Sequence, residues 1–193
     1  MTDWANRAAT WAAAADWAAD PPPPAASVDY GALPDLETRL VEANVNPETY
    51  LATDYLNHFN QITMVLDLSA ADRSLLDEAG DWAPKSYHQH FYDSGFKETA
   101  LINWAFDHAP LSVRELFDPA VVTLDHYIEE ALWEARNPAC PADIIADRVA
   151  LINAQIGLLY AIINGRKAMA QDAVDGNFDA GSASQDDIDS LFD

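Results

Sequence analysis

Between residues 141 and 164 the chain spaces Ile145, Val149, Ile152, Ile156, Leu159 and Ile163 by steps of four, three, four, three and four. Only an α-helix gathers such positions on one face, because a turn takes 3.6 residues. Leu151, Leu158 and Ile162 add a second stripe, so most of the circumference is apolar and the segment is expected to be the central helix of a helical core. Asp147, Arg148, Asn153 and Gln155 interrupt the run, which argues against a membrane span. Gly165 supplies the stop, and Arg166 with Lys167 suits the negative end of the helix dipole.

Helix punctuation recurs upstream, and no convincing alternation of a strand is found. Asn46, Pro47 and Glu48 read as an N-cap, a first-position proline and a first-turn acid, opening a helix with Leu51, Tyr55, Phe59, Ile62 and Leu66 on one stripe. Ser69 with Asp72 reads as a capping box, and Gly80 as the end of that helix. The stretch DWAPKSYHQHFYDSG reads as a loop enclosing a short helix that Gly95 ends. Residues 96–108 are expected to be helical, Ser112 with Glu115 to begin a short helix, and Asp118-Pro119 to begin a longer one to about Arg136. The expectation is an all-α helical bundle over residues 34–168.

Two segments flank it. Residues 2–19 hold nine alanines and three tryptophans, a composition that favours a helix over 1–19. This segment is open to two readings, folding back onto the bundle or docking elsewhere. Four consecutive prolines then make 20–33 a stiff linker. Residues 169–193 are rich in aspartate and too poor in apolar residues to build a core, so they read as a flexible tail.

With 32 acidic against 10 basic side chains, the formal charge is -22, and such a field repels phosphate. Nucleic acid and anionic membranes are therefore not expected partners. Cys140 is the only cysteine, so no intrachain disulfide can form. The N-terminus lacks a basic region followed by an apolar one, and both features fit a cytoplasmic chain.

The tail carries one organised motif. Ser184 can cap a helix with Asp187 three residues on, and Ile188, Leu191 and Phe192 then share one face of a turn. That is how a short helix presents anchors to a groove on another protein. Burying the three side chains contributes roughly 5–8 kcal/mol, and ordering the segment offsets about 2–5 kcal/mol of it. The competing readings are a tail that folds back on its own bundle and a solubilising terminus.

The run SQDDIDSLF resembles the segment with which the flagellar motor switch protein FliM captures the chemotaxis response regulator CheY. Ser184, Gln185, Asp186, Asp187, Ile188, Asp189, Ser190 and Leu191 fit that pattern, and Phe192 is an apolar variant. The likeness covers nine residues, and in the switch protein the segment is N-terminal. A helical protein whose C-terminal tether ends in such a peptide is similar in layout to the chemotaxis phosphatase CheZ. In that family a helix carries Gln-Asp-Phe-x-Asp-x-x-x-Gln, whose second Asp contacts the regulator and whose last Gln orients the attacking water. Here TDYLNHFNQ places Gln61 on the catalytic Gln, Asn57 on the contacting acid and Thr53 on the first Gln. The resemblance implies a CheY-like receiver as partner, with Gln185, Asp186, Asp187, Ile188, Asp189, Leu191 and Phe192 as contacts. It implies Gln61 and Asn57 as the residues of any phosphatase activity.

Other constellations point less far. His88, His90 and Asp93, Asp54 with His58, and His126 with Glu129 and Glu130 have spacings that could aim imidazole and carboxylate at one ion. The Glu-x-x-His pairs of a di-metal bundle are missing, so neither metal nor cofactor is expected. His58 in mid-helix also invites a phosphotransfer reading, without the neighbouring lysine and small residues such sites use. Cys140, between Ala139 and Pro141, reads as a packed thiol. The aromatic stretch 82–106 reads as core, with any exposed part serving a second partner contact or self-association into a homo-oligomer.

Overall fold

The computed structural model describes residues 29–80 and 82–165. The segment 1–19, residues 20–28 of the 20–33 linker and the 169–193 tail lie outside the described residues. Those described form α1 (Leu36–Glu42), α2 (Asn57–Ser69), α3 (Tyr87–Ser94), α4 (Thr99–Asp107), α5 (Leu111–Ala135) and α6 (Ala142–Ile163). Short 3-10 turns cover Tyr30–Ala32, Thr53–Leu56 and Arg73–Ala79, and no strand occurs among the described residues. The chain is all-α.

Helices α5 and α6 form an antiparallel pair and make the most extensive contact in the bundle. Val121, Leu124, Ile128 and Leu132 face inward from α5, and Ile145, Val149, Ile152 and Leu159 from α6. Helix α2 closes the layer with Phe59, Ile62 and Leu66. Polar clasps fix the register. Arg148 grips Glu134 through two hydrogen bonds of 2.8 and 2.9 Å, and Gln155 donates to the Ala120 carbonyl at 2.9 Å. Arg73 donates to the carbonyls of Ala135 and Cys140, tying the α5–α6 connection to the preceding 3-10 turn.

Helix α6 matches its expected span but is not enclosed. It packs α5, α2 and the Thr53–Leu56 turn on one side and leaves Ala146, Ala150, Leu151, Ala154 and Gly157 exposed. By length and composition it is the one described helix long and apolar enough to cross a membrane.

Three expected boundaries moved. Asn46 does cap a turn, its Oδ1 accepting from the amides of Glu48 and Thr49, but no helix follows. Tyr50 sits at φ 63°, a left-handed conformation that stops propagation, so the α-helix begins only at Asn57. Ser69 turns back to the Leu66 carbonyl, and Asp72 caps the next segment instead by accepting from Ser74 N. The two helices expected from Ser112 and from Asp118-Pro119 are one, running through Pro119. An ion pair from Arg114 to Asp118, at 2.9 Å, braces the turn before the proline. Gly80 and Gly95 end their segments at positive φ as expected.

One carboxyl group sits inside the bundle. Asp125 of α5 is fully buried, and neither carboxyl oxygen has a hydrogen-bond partner among the described residues. Burial, reinforced by Glu129 one turn on, pushes its pKa up to about 8. The unfolded carboxyl ionises near pH 4 while the folded one keeps its proton, so this residue weakens the fold progressively from pH 4 to 8. Asp125→Asn, neutral in both states, should gain roughly 2–4 kcal/mol at pH 7. Urea unfolding at pH 5 and pH 8 checks this: the variant should lose this part of the wild-type decline, and equal slopes for the two proteins would contradict it.

Candidate functional site at the start of helix α2

The sequence-derived residues that are described converge on the region where the Thr53–Leu56 turn enters α2. This corner is held from beneath by aromatic packing. Tyr55 is buried against Phe59, Tyr87 and Phe117 at ring separations of 5.1, 5.1 and 5.9 Å. Its hydroxyl donates to the Lys85 carbonyl at 2.8 Å, which draws the 82–86 loop over the helix start. Tyr87, stacked on Phe106 at 4.1 Å, accepts at its hydroxyl from the Ala52 amide at 2.8 Å. Ser86 caps α3 by accepting from Gln89 N.

The outer face of α2 carries Asn57 and Gln61, both exposed and one turn apart. The Gln61 side chain makes no hydrogen bond among the described residues. Met64 (59 % exposed) and Leu68 (50 %) continue the same face, so the two amides border an apolar strip rather than a wholly polar one. Tyr92 and Phe96 are also exposed, at the end of α3 and just beyond it, whereas Tyr87, Phe91 and Phe106 are buried. The aromatic stretch is therefore core with an open edge.

Behind the amides lies an inner group that spacing alone did not assemble. His58 is 9 % exposed and stacks on Trp82 with ring centroids 5.1 Å apart and planes 18° from parallel. His90 lies 6.1 Å from His58. Burial, with His90 and Lys85 nearby, pushes the His58 pKa down to about 4, while a hydrogen bond to the Ala83 carbonyl opposes the shift. Burial also lowers that of His90, against a hydrogen bond to the Asp54 carbonyl. Both rings are therefore neutral at pH 7. Asp93 is held below the usual carboxylate range by Lys85, whose Nζ is 2.8 Å away, and by Gln89.

The triplet of His88, His90 and Asp93 does not assemble: His88 turns to Asp107 at 3.0 Å, and Asp93 pairs with Lys85. Asp54 and His58 are not partners either; the Asp54 carboxylate accepts from Asn44 at 3.3 Å. His126 and Glu130 do approach, at 3.5 Å on the exposed side of α5. Among the described residues no three His, Cys, Asp or Glu side chains form a ready metal cage. Cys140 is half-buried against the core. Gln185, Asp186, Asp187, Ile188, Asp189, Leu191 and Phe192 lie outside the described residues.

Sequence reasoning missed Trp82 and the pairing of His58 with His90 across 32 positions of chain. A weak signal existed, since His58 precedes Phe59 on the inward arc of α2. Asp125 was legible in principle, standing four residues after Val121 among the inward positions of α5. Comparison of the chain with protein families, curated proteins and solved structures finds no match.

Because His58 is neutral when folded and has an ordinary pKa near 6.5 when unfolded, its contribution to stability is complete above pH 6.5 and is lost as pH falls toward 4. The loss amounts to about 3 kcal/mol over that interval, and the lowered pKa of His90 adds in the same direction. An NMR titration of the His58 ring should show a midpoint near pH 4, and His58→Gln should flatten the acid limb. A midpoint near 6.5 would place the ring in solvent.

Proposed function

We propose that the chain binds a CheY-like receiver domain in the cytosol, in chemotaxis or a related two-component pathway, through the segment 184–192. The observation that carries this reading is the run SQDDIDSLF, with Ile188, Leu191 and Phe192 spaced for one helical face and flanked by Asp186, Asp187 and Asp189. Acidic residues around apolar anchors speed encounter with a basic rim and fix register. The -22 charge favours such a partner over nucleic acid or an anionic membrane. Helix α6 is sufficiently apolar for a membrane, but the Arg148–Glu134 pair along its length and its inward Ile145, Ile152 and Leu159 support a place in the bundle.

The exposed face of α2 favours a second, catalytic reading of the same complex. An amide with no partner of its own, beside an apolar strip, can dock on a captured receiver and orient water toward an aspartyl phosphate. Water would attack phosphorus, the bond from phosphorus to the aspartyl oxygen would break, and inorganic phosphate would leave. In this reading Gln61 positions the water, and Asn57 contacts the receiver without the charge that the resembled phosphatase supplies. A scaffold that only recruits the receiver is the alternative.

Calorimetric titration of an isolated receiver with the full chain and with a version ending at Gly181 separates these ideas. The full chain should bind at about micromolar Kd, and truncation should weaken binding at least tenfold. Equal affinities would rule out the segment as the contact. Phosphate release from the phosphorylated receiver should accelerate with the full chain and fall at least tenfold in Gln61→Ala; unchanged decay with the wild-type chain leaves recruitment alone.

A further inference from the structure

Three buried polar atoms behind the α2 face have no partner among the described residues: Nε2 of His58, Nε2 of His90 and Nε1 of Trp82. The rings that carry them form one cluster, with His58 stacked on Trp82 and tilted 57° from His90. A neutral imidazole carries one lone pair, and the tautomer with that pair on Nε2 presents it to a ligand. The indole N–H of Trp82 lies in its own ring plane, so stacking does not direct it into the His58 ring. Native interiors seldom leave such atoms unmet.

We infer that His58 and His90 together hold a divalent transition-metal ion of the zinc or nickel class through their Nε2 atoms. At a metal–nitrogen distance of about 2.0–2.1 Å the ion stands about 3.2 Å from each ring centre, so two ligating rings can be up to about 6.4 Å apart. The observed 6.1 Å falls within that limit, and closing to a tetrahedral angle brings the rings nearer by less than about 1 Å. With two protein ligands, the remaining positions fall to water, and one such water accepts the Trp82 N–H. Asp54 and Asp93 favour positive charge at His90, against Lys85, which opposes it at both rings and is itself paired with Asp93 at 2.8 Å. This site is independent of receiver binding.

The test is a zinc titration of the full chain, followed by NMR at the ring nitrogens. One equivalent should shift Nε2 of His58 and His90 together and move the Trp82 indole resonance. In His90→Gln the His58 shift should need at least tenfold more zinc; if that variant does not fold, the paired shift in the wild type decides. The idea is overturned if zinc moves only His126 near Glu130 or the aspartates while the His58 and His90 nitrogens stay put. In that outcome an ordinary water bridges the three atoms.

Discussion

The hydrogen bond from the Ala52 amide to the Tyr87 hydroxyl is the contact on which the candidate site depends. It joins an irregular segment to a helix 35 residues later, and both ends are fully buried. The segment before α2 has little secondary structure to hold it: residues 47–49 make a turn, Tyr50 occupies a left-handed conformation, and a lone bridge pairs Val45 with Ala52. Its order comes from side chains. Tyr87 anchors it at Ala52, and Thr49 anchors it to the end of α6 by donating to the Ile163 carbonyl at 2.6 Å. With those two points fixed, the Thr53–Leu56 turn delivers α2 so that Asn57 and Gln61 face outward and His58 inward.

The same aromatic ground sets the electrostatics. Tyr87 is held well above the ordinary tyrosine pKa by burial, against the Ala52 amide that donates to its oxygen. The low dielectric that does this also drives His58 and His90 to their neutral forms and Asp125 to its protonated form. An interior that excludes charge thus lies inside a chain of net charge -22. The acids that give the chain its long-range field are therefore free to serve encounter with a partner rather than the fold.

Much of the fold was legible because helix-period apolar stripes act locally. The span of α6, the ends at Gly80 and Gly95 and the all-α class follow from spacing and capping chemistry. What was not legible required distant partners. Asn46 looked like a helix cap because a cap and an Asx-turn use the same side-chain oxygen, and only the later reversal at Tyr50 tells them apart. Pro119 looked like a helix start because its missing N–H is tolerated best there, yet the apolar stripe of α5 against α6 carries the helix through it. Helix α6 looked enclosed because Leu151, Leu158 and Ile162 add a second apolar stripe; Leu151 is exposed, and the alanines and glycine beside it face solvent. At the site, Gln61 and Asn57 were legible as an exposed pair on one helix face, whereas the His58, His90 and Trp82 group was hidden by sequence distance.

The most direct test of this account is amide hydrogen exchange on Tyr87→Phe, which deletes one oxygen atom and keeps the stacking ring. The Ala52 amide then has no acceptor and is left unmet inside the core, a cost of about 1–3 kcal/mol. Protection should collapse at Ala52 and across the Thr53–Leu56 turn, and the ring resonances of His58 and His90 should move, while amides of the α5–α6 pair keep their protection. If Ala52 stays as protected as the core of α5 and the two imidazoles do not respond, Tyr87 does not position this site.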